Sequence, residues 1–189
     1  MGTPATLAAR VFISYTHEDA VHNDRILRLS QRLRSEGIDC YIDQFEMMPD
    51  VGWPRWMVNE IQAARFVLVV CTAKYHRRFA GVELGGAQWE GAVITQQMYE
   101  ANGRNSKFIP IGFEPYETNQ NIPIILRPWT YYNVAVDAGY EGLYRLLTGQ
   151  PNAKPKSIGQ IVGMPMDSAS RDAESRLRPL DLTRDRPKV

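Results

Sequence analysis

The sequence predicts an α/β domain of flavodoxin-like order, with a doubly wound five-stranded parallel sheet and helices on both of its faces. Five short runs rich in apolar, β-branched and aromatic residues follow one another along the chain, at 10–15, 38–43, 65–72, 107–113 and 129–134. Segments with helical spacing alternate with these runs, which is typical of parallel strands joined by right-handed crossovers. In this fold, ligands bind beyond the carboxyl ends of the strands, at the switch between the first and third strands.

Each element has its own local signal. The run RFVLVVCT at 65–72 shows no apolar–polar alternation, which indicates a strand covered on both faces. Pro54 suits the first turn of a helix, and Gly149 suits the position just after a helix. The spacing of apolar residues predicts four helices, at 20–37, 54–64, 84–101 and 140–149.

The composition changes near Gly149, so we expect a folded domain over residues 8–149. Residues 150–189 are rich in Pro, Ser, Asp and Arg, which favours a tail or a linker. The stretch SASRDAESRLRPL within this segment is a candidate short helix.

The composition argues against several classes of protein, including nucleic-acid-binding, membrane-spanning, secreted and metal-binding proteins. Lys and Arg total 22 against 21 for Asp and Glu, so the formal net charge is +1 and gives no global attraction to nucleic acid or to an anionic membrane. No apolar run approaches the roughly 18 residues that span a bilayer, and no signal peptide is evident at the N-terminus. Cys40 and Cys71 lie in apolar runs, so we expect reduced, buried thiols in a cytoplasmic protein. The three histidines show no ligand spacing with the cysteines, so no metal site is expected.

One carboxylate stands out against its surroundings. In the stretch GGAQWEG at 85–91, helical spacing puts Glu90 on the same side as small or apolar residues, namely Ala87, Gly91, Ile94 and Met98. A carboxylate on such a face is costly unless it is paired or opens onto a cavity. Glu90 is therefore either a structural group, in an ion pair or at a helix dipole, or a functional one.

Other candidate residues lie where the predicted strands end. Ser14 and Tyr15 end the first run and Asp43 ends the second, so each either contacts a ligand or caps the local backbone. Trp53 and Trp89 either stack on a flat ligand ring or belong to a core or an interface.

Charged residues in two of the predicted loops favour simpler interpretations. We expect His17, Glu18 and Asp19 to be solvated loop and helix-capping residues. The basic stretch KYHRRF at 74–79 would face water by default, with a pyrophosphate or a neighbouring subunit as alternatives.

Five pieces of the chain, in order and at plausible spacing, carry a family resemblance: VFISYTHED, YIDQFE, GWPRWM, FVLVVCTAKY and WEGAVI. Together they resemble a SEFIR domain, the close relative of the Toll/interleukin receptor (TIR) domain, over about residues 8–148. The fold that the resemblance implies agrees with the fold predicted from the alternation. Some members of the superfamily are adaptors that assemble through like-with-like contacts, and others hydrolyse or cyclise NAD.

The resemblance favours the enzyme class, because a glutamate in the helix after the third strand separates the two classes and Glu90 matches it. It implies an NAD nucleosidase with NAD as substrate and no further cofactor, acting as an immune or anti-phage effector that self-assembly activates. Ser14, Tyr15, Asp43, Trp53 and Trp89 are then the expected substrate-binding residues. The alternative is a non-catalytic signalling adaptor.

The expected partners follow from the same resemblance: NAD, further copies or other SEFIR/TIR domains, and a fused or separate sensor domain, without direct contact to nucleic acid or membrane. The loop at 44–53 matches the loop that gates the pocket in related enzymes and mediates contacts in adaptors. It departs from the usual TIR pattern because Asp50 rather than glycine follows Pro49. A phosphotransfer receiver shares this strand order, but it needs a phosphorylatable aspartate after the third strand, where this chain has CTAKY.

Overall fold

A computed structural model describes residues 9–81, 86–116 and 120–164, with the side chains of residues 86–90 excepted. The chain divides into two compact units, Met1–Asn152 and Ala153–Val189. All the helices and strands described below lie in the first unit. In the second unit, residues 153–164 are exposed and form neither helix nor strand. The candidate short helix at 168–180 lies outside the described residues.

The sheet has the predicted architecture. Its strands are all parallel and run in the order β2-β1-β3-β4-β5, which confirms the flavodoxin-like arrangement. The strands are β1 (Arg10–Ser14), β2 (Asp39–Tyr41), β3 (Phe66–Val70), β4 (Phe108–Gly112) and β5 (Tyr132–Asn133).

Four helices lie in the connections between strands: α1 (Ala20–Ser35), α2 (Trp53–Ala63), α3 (Ala73–Phe79) and α4 (Gly86–Glu100). A fifth helix, α5 (Asp137–Thr148), follows β5. Two single turns of 3₁₀ helix, Asp43–Phe45 and Ile124–Leu126, lie in the loops that follow β2 and β4. None of the helices among the described residues is long and apolar enough to cross a membrane.

Alternate residues of each strand pack on opposite faces of the sheet. Ile13 and Leu68 join a core that α1 and α5 complete. Phe12 and Val69 join the other core, which α2, α3 and α4 complete. Residues 67–70 of β3 are 0% exposed, so both faces of this strand are covered as predicted. Complete burial of one such aliphatic side chain stabilises the fold by about 1.5–3 kcal/mol.

Two elements differ from the predicted secondary structure. No helix was predicted over 73–79, but these residues form α3, where the side chain of Thr72 accepts a hydrogen bond from the backbone N–H of Tyr75 and so caps the helix. The fifth strand was expected over 129–134, but only Tyr132–Asn133 pairs with β4. The short pairing reflects its place at the sheet edge, directly after an irregular segment.

The helix ends follow the predicted local chemistry. Pro54 lies in the first turn of α2, and Asp19 caps α1 by accepting a hydrogen bond from His22 N at 2.7 Å. Gly149 closes α5 in the left-handed region, with φ of 65°. Cys40 and Cys71 are both free and buried, as expected.

One close approach of backbone to backbone fixes α5 on the sheet. A Cβ atom at Gly139 would lie 2.0 Å from the carbonyl oxygen of Asn133 and 2.7 Å from its carbonyl carbon. Neither atom belongs to a movable side chain, so only glycine fits this first turn of α5 against β5.

The substitution Gly139→Ala should therefore lower the free energy of unfolding by about 2–3 kcal/mol, even though alanine is the better helix former. Chemical denaturation measures this change. Gly159→Ala is the matched control, because a Cβ atom there meets nothing within 4 Å. A Gly139→Ala protein as stable as the wild type would show that α5 does not hold this contact.

Candidate active site

Parallel pairing brings the ends of β1 and β3 together at one edge of the sheet. Ser14, the last residue of β1, stands in register with Val69 of β3. The chain then leaves β1 for α1 on one face and leaves β3 for α3 on the other. The two connections diverge, and this divergence opens the crevice in which α/β sheets bind ligands.

Asp43 ties the loop after β2 to the loop after β1. Its Oδ1 accepts a hydrogen bond from the Tyr15 hydroxyl at 2.6 Å, and its Oδ2 lies 2.6 Å from His17 Nε2. Gln44 adds a second link, because its Nε2 donates to the Tyr15 hydroxyl at 2.9 Å and to the Asn23 carbonyl at 3.0 Å. We call this group the Asp43 clamp, meaning Tyr15, His17, Asp43 and Gln44.

The Asp43 clamp shows what this carboxylate contacts within the protein, while its contact with a substrate stays a prediction. Asp43 engages its own protein through both carboxylate oxygens, so it orders the loops at the mouth of the crevice. His17, expected to be a solvated loop residue, is part of the same group, although its side chain is 55% exposed. Bonds of this kind to a carboxylate contribute more than bonds between neutral groups.

A second set of contacts joins the β1 loop to α3. One carboxylate oxygen of Glu18 accepts hydrogen bonds from the hydroxyls of Thr16 and Thr72. Lys74 Nζ donates to the His17 carbonyl at 2.6 Å. Lys74, expected to face water with the rest of its basic stretch, is partly exposed and also ties the start of α3 to the β1 loop.

Ser14 lies beneath these loops. It is 1% exposed, and its hydroxyl is 2.8 Å from that of Tyr75, which is completely buried in α3. Tyr15 is 6% exposed. The Ser14 and Tyr15 hydroxyls are thus both buried beneath the crevice and bonded to other side chains of the protein.

The loop between the 3₁₀ turn at Asp43–Phe45 and α2 presents apolar side chains to solvent. Met47 is 95% exposed and Met48 is 84% exposed. Trp53, which begins α2, is 41% exposed and packs its ring at a right angle on Trp56, with 5.6 Å between ring centroids. Trp56 is buried, as the sequence predicted, so Trp53 rests on a fixed aromatic base and keeps part of its ring free.

Helix α4 carries the principal candidate, Glu90, together with Trp89. Both side chains lie outside the described residues, so their substrate and catalytic roles stay predictions. The rest of the predicted apolar face is buried at Gly91, Ile94 and Met98. A Cβ atom at Gly91 would lie 3.0 Å from Phe79 Cδ2 and 3.2 Å from the Phe79 carbonyl oxygen, so the glycine allows α4 to pack closely on α3.

Neither Cys71 nor Cys40 is activated as a nucleophile, because both thiols are buried. Burial raises the pKa of Cys71, just after β3, to about 12, so the thiol is neutral at pH 7. Burial raises the pKa of Cys40 to about 12 as well. Among the described residues, no group of three or more His, Cys, Asp or Glu side chains is arranged to hold a metal ion.

Comparison with known proteins points to one family. A family model described as "TIR domain" matches residues 11–147. A prokaryotic SEFIR domain of known structure is 25% identical, superposes with a TM-score of 0.59, and aligns over 74% of this chain and 99% of its own.

More distant likeness extends to animal receptors. A metazoan TIR-STING receptor from C. gigas, solved in complex with 2',3'-cGAMP, is 18% identical with a TM-score of 0.52, and the alignment covers 78% of this chain but 41% of the receptor. At that identity the likeness shows the fold alone. A comparison with curated proteins gave no match.

Removing one hydroxyl from the Asp43 clamp should destabilise the loops at the mouth of the crevice. Tyr15→Phe removes a hydroxyl that both donates to Asp43 and accepts from Gln44, so we expect the free energy of unfolding to fall by about 1–3 kcal/mol. The loop at 46–52 should also be cut faster by protease, because its anchor is lost. Denaturation curves and limited proteolysis measure the two effects. Tyr99→Phe, at a side chain that is 79% exposed, is the control and should change neither.

Proposed function

The chain belongs to the TIR domain family, and on that premise we propose that it is an NAD-cleaving enzyme with Glu90 as its catalytic carboxylate. The observation that carries the proposal is the packing of α4. The helix presents Gly91, Ile94 and Met98 to the protein, and Glu90 comes one helical turn before Ile94. A carboxylate in that sequence position requires a reason, and a substrate that becomes positively charged supplies one.

The support beneath α4 suits a catalytic group. The helix packs through Gly91 on Phe79 of α3. The start of α3 is in turn held to the β1 loop by Glu18 and Lys74. A continuous set of contacts therefore joins the crevice floor to the helix that bears Glu90, and such support is what a preorganised site needs.

The proposed reaction needs only one carboxylate. The bond between the nicotinamide nitrogen and the ribose carbon breaks, and its electron pair leaves with nicotinamide, which becomes a neutral base. Positive charge develops on the ribose, as in glycoside hydrolysis. Glu90 would stabilise that charge and hydrogen-bond the ribose hydroxyls. Water, or the adenine ring of the same molecule, then captures the ribosyl carbon, and a proton is released.

The remaining candidates take supporting roles in this proposal. Trp53 and Trp89 would stack on the flat rings of NAD. Asp43 and Tyr15 would shape the mouth of the crevice, and Ser14 its floor. Direct contact of Ser14 or Tyr15 with NAD would require the loops above them to move, because both are buried here.

A second function is favoured by a different observation. The loop at 46–52 exposes Met47 and Met48 almost completely, and flexible methionines suit binding to protein surfaces. A non-catalytic module that assembles with like domains would use such a loop. The likeness to a prokaryotic SEFIR domain is compatible with this adaptor role as well as with the enzyme.

The two functions combine in one account of the protein in the cell. We infer a cytoplasmic effector of immune or anti-phage defence that a sensor domain, fused or separate, brings into assemblies. Assembly would order the exposed loop and complete the site, and NAD cleavage would follow. Nucleic acid and membrane have no direct part in this account.

The first test replaces the proposed catalytic carboxylate. Glu90→Gln keeps the size of the side chain and removes its charge, so NAD turnover should fall at least about a hundredfold. The melting temperature should stay the same or rise, because a desolvated charge is lost. Both quantities are measured on the same preparation. Glu100→Gln is the matched control, since Glu100 lies on the same helix and is exposed, and it should keep wild-type turnover.

Opposite results would separate the two interpretations of Glu90. A structural carboxylate in a buried ion pair predicts a Gln variant that is destabilised by about 3–5 kcal/mol. Wild-type turnover in a folded Glu90→Gln protein would end the enzyme proposal in this form.

The second test concerns assembly. Specific activity should rise with protein concentration, because neighbouring copies are needed to order the loop at 46–52. The double substitution of Met47 and Met48 by serine should shift this rise to higher concentration, as light scattering and turnover measured together would show. Met164→Ser is the control, at a side chain that is 83% exposed in the second unit. Full activity of the wild-type monomer at nanomolar concentration would refute the dependence on assembly.

A further inference from the structure

We propose that a cleft between α1 and the ends of β4 and β5 binds the phosphate groups of a nucleotide-sized ligand. This cleft lies on the α1–α5 side of the sheet, whereas α4 and Glu90 lie on the α2–α3–α4 side. The proposal does not depend on NAD cleavage and stands or falls separately from it.

The cleft has the size and walls of a small-molecule site. Its volume is about 380 Å³, within the usual range for ligand pockets. One wall consists of α1 side chains, and the other consists of residues that follow β4 and β5 together with one from α5. The lining residues are Arg25, Arg28, Leu29, Arg32, Phe113, Glu114, Val134, Ala135 and Tyr140.

Three arginines give this wall a concentrated positive charge. Arg25, Arg28 and Arg32 are spaced by three and four residues, so they form one stripe along the helix. Like charges at this spacing repel each other, and the chain as a whole is nearly neutral, with a formal net charge of +1. The charge is therefore a local feature of the cleft.

The carboxylates near the stripe neutralise it unevenly. Arg28 pairs with Asp24 at 2.7 Å, and Arg32 pairs with Glu36 at 3.3 Å, both one turn along the same helix and exposed. Among the described residues, Arg25 pairs with no carboxylate. Exposed pairs are weak, so an incoming phosphate can compete for all three guanidinium groups.

Aromatic side chains hold two of the guanidinium groups in place. That of Arg25 lies 5.7 Å from the ring centre of Phe113, and that of Arg32 lies 3.5 Å from the ring centre of Tyr140. Tyr140 is itself fixed, because its hydroxyl donates to Glu36 at 2.8 Å. Less side-chain freedom is then lost when a phosphate binds.

The opposite wall matches the rest of a nucleotide. Glu114 offers a carboxylate that accepts hydrogen bonds from hydroxyl groups such as those of a ribose. Val134 and Ala135 offer apolar surface beside it. A ligand that carries phosphate, hydroxyls and a flat ring can use all three kinds of lining group, whereas a simple inorganic anion can use only the arginines.

The test titrates the full chain with ADP, adenosine and pyrophosphate by calorimetry. ADP should bind, pyrophosphate should bind more weakly, and adenosine should show no binding at the same concentrations. Arg25→Ala/Arg28→Ala should weaken ADP binding at least about tenfold, because charge-assisted bonds to phosphate are lost. Arg25→Gln alone should weaken it by a smaller factor, and Arg104→Ala, an exposed arginine outside the cleft, should bind as the wild type does.

Two further readouts locate the binding. Amide NMR signals of Phe113, Val134 and Ala135 should shift with ADP, and Glu90→Gln should bind ADP as the wild type does. The proposal is overturned if ADP does not bind at millimolar concentration, if the arginine variants bind it unchanged while folded, or if the shifts map to the crevice at β1 and β3 instead.

Discussion

The parallel pairing of β1 with β3 is the constraint on which the candidate site depends. Because these neighbours send their connections to opposite faces, a crevice opens at their carboxyl ends. Both faces of the sheet are buried, so the polar side chains of this end gather in the loops above it. The Asp43 clamp and the contacts of Glu18 and Lys74 then tie three separate loops into one rim.

That rim has a rigid part and an exposed part, and the division bears on function. Its base is held by hydrogen bonds to carboxylates and by the buried Ser14–Tyr75 contact. The loop at 46–52 instead leaves Met47 and Met48 in solvent, although Trp53 beside it rests on Trp56. The proposed enzyme, active only in assemblies, would need both parts: a rigid base that positions the catalytic group, and a loop that becomes ordered when a neighbouring copy binds it.

The sheet could be predicted from the sequence because a strand that is buried on both faces needs apolar residues at consecutive positions, as in 65–72. The sequence missed α3 because that helix is short and basic, and its signals are a single capping Thr72 and the buried Tyr75. It identified Asp43 but not its partners, since Tyr15 and His17 reach it only through the register of β1 and β2. The arginine stripe of α1 was visible in the sequence, but its cleft depends on the ends of β4 and β5, which no local pattern places beside α1.

The most direct test of the central claim is to incubate the wild-type protein with NAD at high protein concentration and to measure the released nicotinamide by chromatography. We predict nicotinamide in equal amount to ADP-ribose or its cyclic form, with many turnovers for each protein chain. No nicotinamide above a protein-free blank, from folded protein at the same concentration, would contradict the claim.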